Sequence, residues 1–260
     1  MPTDLPVPDA ALGVLLVTVL LAGIARGLSG FGTGMIVAPV AGALYGPQAA
    51  IVVIVIMDSL PVLPVTLPAL RQARWRDVLP VAAGLFVMLP VGVLLLKAGD
   101  PVTLRWAISI AILACAAALW SGWTWRGPRN AAVAAGVGGL AGLLGGMASI
   151  PGPPVILYWL ASGLPAALLR ANLLTLFFLG EVLSIGNLWT AGLFDRGPVM
   201  LGIAAAPVYF AGLAIGARLY GLATEATYRR VTFGLIVTAA VLASPATESG
   251  VRWALALWGP

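Results

Sequence analysis

The sequence predicts an all-α polytopic membrane protein made of two homologous, inverted repeats, each carrying one membrane segment broken by glycine and proline. Three observations predict it. Of the 260 residues, 61% are hydrophobic and 9% charged, with mean hydropathy +1.04, whereas soluble domains are about 25% charged. Apolar stretches of helical length recur along the whole chain. Two Gly- and Pro-containing stretches lie 115 positions apart, Gly30 to Pro39 and Gly145 to Pro154, matching at the first glycine and the last proline.

The apolar stretches are Ala10–Ala25, Ala49–Leu70, Val78–Leu96, Leu104–Trp120, Ala131–Leu144, Ala166–Leu188, Pro198–Leu219 and Val231–Ala243. A spanning helix needs about 20 residues, so these are read as eight long helices. The first follows nine residues that contain Asp4 and Asp9 but no Lys or Arg. A secretory leader needs a basic start, so this first helix is expected to be retained. The polar stretches Arg71–Asp77 and Ser121–Asn130 are expected to be loops.

The two broken segments are Leu28–Tyr45 and Gly146–Leu160. Irregular backbone at membrane depth is tolerated only where it is buried in protein or lines a watery cavity. Two such interruptions at corresponding places in two halves point to a transporter's binding site. The repeat extends outward. Gly23 and Gly27 answer Gly138 and Gly142, Pro80 and Gly84 answer Pro198 and Gly202, and Leu104-Arg105 answers Tyr228-Arg229. Residues 1–127 therefore form the first repeat and 128–260 the second, joined near Gly127-Pro128.

Positive charge decides whether the broken segments cross. If they fold back, seven basic residues lie on each side of the membrane. If they cross, Arg26, Arg71, Arg74, Arg76, Arg126, Arg129, Arg170, Arg218, Arg229 and Arg230 fall inside, against Lys97, Arg105, Arg196 and Arg252 outside. Ten to four obeys the positive-inside bias. Each repeat then makes five crossings, and an odd number inverts the second copy relative to the first.

The chain has no histidine and one cysteine, Cys115. That excludes histidine-ligated metals, Ser-His-Asp hydrolysis, a histidine relay, an internal disulfide and CxxC redox chemistry. The net charge of +5 is scattered at segment ends, which suits orientation in a membrane and not nucleic acid. No cofactor and no metal site are expected.

The stretches Gly27-Leu28-Ser29-Gly30-Phe31-Gly32-Thr33-Gly34 ending at Pro39, and Gly142-Leu143-Leu144-Gly145-Gly146 ending at Pro154, resemble the paired motifs of the TauE/SafE family of sulfite and organosulfonate exporters. The resemblance covers essentially the whole chain. It implies a multi-pass carrier of the bacterial inner membrane that exports sulfite, sulfoacetate or another small organosulfonate. The second motif departs from the family's glycines at Met147, Ala148 and Ser149.

A small oxyanion inside a bilayer needs positive potential and hydrogen-bond donors. Free N–H groups at a half-helix start supply both, and glycine permits close backbone approach. The expected substrate site therefore takes Gly30, Gly32, Gly34, Gly145, Gly146 and Gly152, with hydroxyls from Ser29, Thr33 and Ser149. Arg26 precedes the first motif and Arg170 follows the second, with Asn172 beside it. A guanidinium matches an oxyanion bidentately, although both arginines also suit the cytoplasmic interface. Gly23, Gly138 and Gly139 have the spacing of helix-packing glycines.

Two acids lie in otherwise apolar spans, Asp58 and Glu181. An ionised side chain at the bilayer centre costs about 2.5–3.5 kcal/mol, so such residues are functional candidates by default. They are read as coupling residues for a proton or Na⁺, against the alternative of acids paired with arginine for structure. Glu181, Ser184 and Asn187 share one helix face. Tryptophans at segment ends, Trp75, Trp106, Trp120, Trp123, Trp125, Trp189, Trp253 and Trp258, read as an interfacial belt; Trp159 beside the second motif reads as belt or packing.

The expected function is secondary transport, driven by ion gradients or the substrate's own gradient because no ATPase motif is present, and not enzyme catalysis. The expected partners are the lipid bilayer, a small anion and a coupling proton or Na⁺; assembly as a homo-oligomer stays open. The rival readings are a passive anion channel and an intramembrane enzyme that uses Asp58 and Glu181.

Overall fold

The computed structural model describes residues 10–59, 62–122, 125–160 and 162–219. Among them are ten helices and no strand: α1 (Ala10–Ser29), α2 (Thr33–Tyr45), α3 (Pro47–Ser59), α4 (Leu63–Gln72), α5 (Trp75–Ala98), α6 (Pro101–Trp120), α7 (Ala131–Ala148), α8 (Gly152–Leu160), α9 (Ala166–Thr190) and α10 (Arg196–Leu219). Five are long and apolar enough to cross a membrane, in α1, α5, α7, α9 and α10. The segment expected at 231–243, the basic residues Arg229, Arg230 and Arg252, and Trp123, Trp253 and Trp258 lie outside the described residues.

The expected long helix over 49–70 is two helices, with Asp58 in the last turn of α3. Pro64 in the first turn of α4 lacks an N–H and fits a helix start, not a helix interior. The start of α6 is set by Asp100, which accepts from the Thr103 N–H at 2.9 Å and from its hydroxyl at 3.0 Å. These donors hold the Asp100 carboxyl below its ordinary range. At α7, Asn130 caps the helix by accepting from the Val133 N–H at 2.9 Å.

Among the described residues two large hydrophobic clusters form, and each mixes the two halves of the sequence. One joins α1, α2 and α3 to α10 through Leu15, Val19, Met35, Met57 and Tyr209. The other joins α7, α8 and α9 to α5 through Leu85, Leu89, Val155, Trp159 and Leu176. Glycines allow the closest pairings. A Cβ at Gly23 or Gly27 would overlap backbone of α10, and one at Gly138 or Gly142 would overlap backbone of α5. Small residues at membrane-helix contacts let backbones approach in this way.

Polar contacts define two ends of the bundle. At one end Asn172 Oδ1 accepts from the Arg74 N–H at 2.7 Å, and Arg170 Nη2 donates to the Gly27 carbonyl at 3.2 Å. The Trp125 N–H donates to the Leu157 carbonyl at 3.2 Å, so α8 returns to the end from which α7 starts. At the other end Gln48 Nε2 donates to the Leu96 and Lys97 carbonyls at 3.2 and 3.3 Å, and Lys97 Nζ donates to the Ala191 carbonyl. Arg129 and Ser162 line one pocket beside Arg74 at the first of these ends.

Among the predicted belt residues, Trp75, Trp106, Trp120 and Trp189 are well exposed on the bundle surface. Trp159 is buried in the α5–α9 core instead.

Candidate functional site

The chain leaves helical geometry at each motif. In the first, α1 ends at Ser29 and α2 begins at Thr33. Gly30 and Gly32 between them have φ of +80° and +106°, backbone that a side chain would strain. In the second, α7 ends at Ala148 and Ser149 closes it at φ +56°, ψ +35°, donating its N–H to the Gly145 carbonyl at 2.8 Å. Ser149 is the one non-glycine residue with positive φ among those described. The departure from glycine noted there therefore falls on a position whose backbone favours glycine.

The two motifs meet. Gly34 in the first turn of α2 lies against the Ser149 carbonyl so closely that a Cβ would overlap it. Between them is a cavity of about 50 Å³, lined on one side by Gly32, Thr33 and Gly34 and on the other by Gly145, Ser149 and Gly152. That exceeds the about 10–15 Å³ that a single water needs and leaves room for an oxyanion of a few heavy atoms. Gly32 caps α2 without a side-chain hydrogen bond, leaving first-turn N–H groups for a ligand. The start of α8 is poorer in donors, because Pro151, Pro153 and Pro154 have no N–H.

Three ionisable side chains line the same cavity: Arg26, Asp58 and Glu181. Arg26 Nη2 lies 3.1 Å from Asp58 Oδ2, with side-chain exposures of 10% and 3%. The Arg26 guanidinium also sits 5.8 Å from the centre of the Phe177 ring, within cation–π range. Arg26 Nε and Asp58 Oδ1 are buried without a hydrogen-bond partner. Glu181 Oε1 accepts from Ser59 Oγ at 3.4 Å. The Tyr209 hydroxyl shares a 2.8 Å hydrogen bond with Thr33 Oγ1. A buried cation and two acids thus line this cavity, and the Tyr209 phenol backs its Thr33 wall.

Arg26 is buried beside Asp58, not at an interface, so it does not count among the orienting charges. Of the other predicted residues, Thr33, Gly32, Gly34, Gly145, Ser149 and Gly152 line the cavity, and Gly30, Gly146, Arg170 and Asn172 do not. Gly146 faces α5, where a Cβ would overlap the Leu89 carbonyl. Arg170 passes behind Gly30 to the Gly27 carbonyl, where a cation suits the C-terminal end of α1. Asn172 is fully buried and holds the start of α5 through Arg74. Ser29 closes α1. Ser184 lines the cavity beside Glu181, whereas Asn187 Nδ2 donates to the Leu183 carbonyl. Sequence reasoning missed Tyr209 and Phe177. Tyr209, a hydroxyl inside an apolar stretch, carried a readable signal; Phe177, one apolar residue among many, carried none.

A probable sulfite/organosulfonate exporter TauE of Cupriavidus necator is 29% identical over 222 residues, spanning 81% of this chain and 84% of that protein. No solved structure matches the chain. The family described as sulfite exporter TauE/SafE matches residues 15–243, and with apolar helices long enough to cross a bilayer this makes the chain a multi-pass membrane protein of the TauE/SafE sulfite exporter family.

Proposed function

We propose that this protein is a secondary transporter that exports a small sulfur oxyanion, sulfite or a short organosulfonate such as sulfoacetate, across the bacterial inner membrane. The observation that carries the reading is the convergence of both motifs, Arg26, Asp58 and Glu181 on one cavity. The anion sits between the first turns of α2 and α8. Backbone N–H groups of α2 and the Arg26 guanidinium hold its oxygens, and Thr33 and Ser149 border it.

Asp58 lies 3.1 Å from the Arg26 guanidinium. An incoming anion competes with that carboxylate for the same guanidinium. A proton or cation on Asp58 weakens its hold on Arg26 and favours the anion, and Glu181 carries the second exchangeable charge. Substrate and coupling ion are linked because both act on Arg26.

The exchanged packing of the halves supports an inverted repeat of residues 1–127 and 128–260. α1 pairs with α10 as α7 pairs with α5, through glycines at the same offset. The arginines gathered near Arg74 support a cytoplasmic placement for that end of the bundle.

The test is direct binding to purified protein of sulfite, sulfoacetate, longer sulfonates and carboxylates, followed by flux in proteoliposomes. Saturable binding of sulfite or a short sulfonate, with accumulation against its gradient under an imposed proton or Na⁺ gradient, is expected. Preference for carboxylates, or downhill flux alone, would reject the reading.

A further inference from the structure

The end of the bundle that carries Arg74 holds a second pocket, of about 390 Å³, lined by Arg74, Arg76, Arg129, Tyr158, Trp159 and Ser162. Its single lining carboxylate is Asp77, which lies 3.8 Å from Arg74. Arg76 and Arg129 have no ion-pair partner among the described residues. The helices α5 and α7 both start here, at Trp75 and Ala131, and their N-terminal ends add positive potential.

This pocket and the central cavity have different linings, with no residue in common. Beneath Pro80 and Ala134, which line its inner wall, α5 and α7 are in backbone contact. A Cβ at Gly84 would overlap the Ala135 carbonyl, and one at Gly138 would overlap the Val81 carbonyl. The space is also far larger than a sulfite-sized ion needs, and it falls within the range of pockets that enclose larger molecules.

We propose that this pocket binds the headgroup of an anionic phospholipid, with the phosphate held by Arg76 and Arg129 and the glycerol portion against Tyr158 and Trp159. Guanidinium forks match phosphate oxygens bidentately. Basic pockets between membrane helices on the cytoplasmic side are suited to such headgroups. Trp75, 40% exposed with its indole N–H on the Leu70 carbonyl at 3.2 Å, marks the level at which aromatic side chains meet lipid headgroups. The inference rests on the membrane placement of the chain and not on the identity of the transported anion.

The test is titration of full-length, detergent-purified protein with short-chain phosphatidylglycerol and, separately, with phosphatidylcholine, inorganic phosphate and glycerol 3-phosphate. Phosphatidylglycerol is expected to bind the wild type far more tightly than the other three. The double variant Arg76→Gln/Arg129→Gln is expected to bind it about 25-fold more weakly, from the typical contribution of each arginine near an anionic lipid. The control Arg71→Gln/Arg126→Gln loses the same charge outside the pocket and is expected to bind like the wild type. Should the first double variant fail to fold, each single variant is read in the same titration, with about a fivefold loss expected. Wild-type affinity in the pocket variants, an equal loss in the control, or equal binding of phosphatidylcholine would overturn the proposal. Inorganic phosphate binding as tightly as the lipid would make this a soluble-anion site and overturn it equally.

Discussion

Gly34 and Ser149, 115 positions apart in the chain, are in backbone contact at the centre of the bundle, and no side chain at position 34 fits between them. They occupy the same place in the two copies of the motif. A two-fold axis relating two halves brings residues near it against their own counterparts, so this contact supports the proposed inverted symmetry. It also fixes the width of the cavity, because it clamps the first turn of α2 to the end of α7.

The clamp sets a first prediction. Gly34→Ala is expected to lower stability by about 1–3 kcal/mol or more, as overpacking does, read by thermal unfolding in detergent. Gly186→Ala, on α9 with nothing near the added carbon, is expected to be neutral or stabilising by up to about 1 kcal/mol, since glycine weakens a helix interior. Ser149→Gly is expected to stabilise by about 1 kcal/mol, because it relieves left-handed backbone at a non-glycine residue. Equal stability of Gly34→Ala and the wild type would show that the two motifs are not in contact.

A second prediction concerns the Arg26–Asp58 pair. Removing one partner of a buried ion pair leaves an uncompensated charge and typically costs about 3–5 kcal/mol. Arg26→Gln and Asp58→Asn are each expected to destabilise on that scale, and the double variant to recover a large part of the loss. A thermodynamic cycle from four unfolding curves measures the coupling. Additive losses would mean that the two side chains do not interact.

The third prediction separates binding from coupling. Arg26→Lys keeps the charge but loses the planar fork. It is expected to weaken anion binding while the protein still reaches the membrane. Glu181→Gln keeps size and hydrogen bonding, and is expected to retain substrate exchange in proteoliposomes while losing gradient-driven accumulation. If Glu181→Gln and Asp58→Asn both accumulate substrate uphill at wild-type rates, neither acid couples transport.

The fourth prediction is topological. Single cysteines at Arg74, Arg129 and Arg218, in a Cys115→Ser background, are expected to resist an impermeant thiol reagent applied to intact cells, and one at Lys97 to react. The shared pocket of Arg74 and Arg129 and the distant Lys97–Ala191 contact motivate the pairing. Labelling of Arg74 and Lys97 positions from the same side would reject the arrangement.

What the sequence by itself determined is whatever depends on local composition. Helices and membrane residence follow from apolar stretches, since backbone polar groups in lipid must be satisfied within each segment. The interruptions at Gly30–Gly32 and Ser149–Pro151 follow from glycine and proline, whose backbone limits act at single positions. Asp58 and Glu181 stood out because charge in an apolar run is costly wherever it lies. Only the tertiary structure decided which of these parts meet. Arg26 precedes the first motif in the chain like an interfacial residue, yet it turns inward to Asp58 because a buried carboxylate needs a partner. Arg170, Asn172 and Gly146 resembled ligand residues in sequence but brace α1, α5 and the α5–α7 contact. Tyr209 reaches Thr33 across 176 positions. Such pairings depend on how helices from the two halves cross, and helix crossing is set by packing between distant segments, which local pattern does not encode.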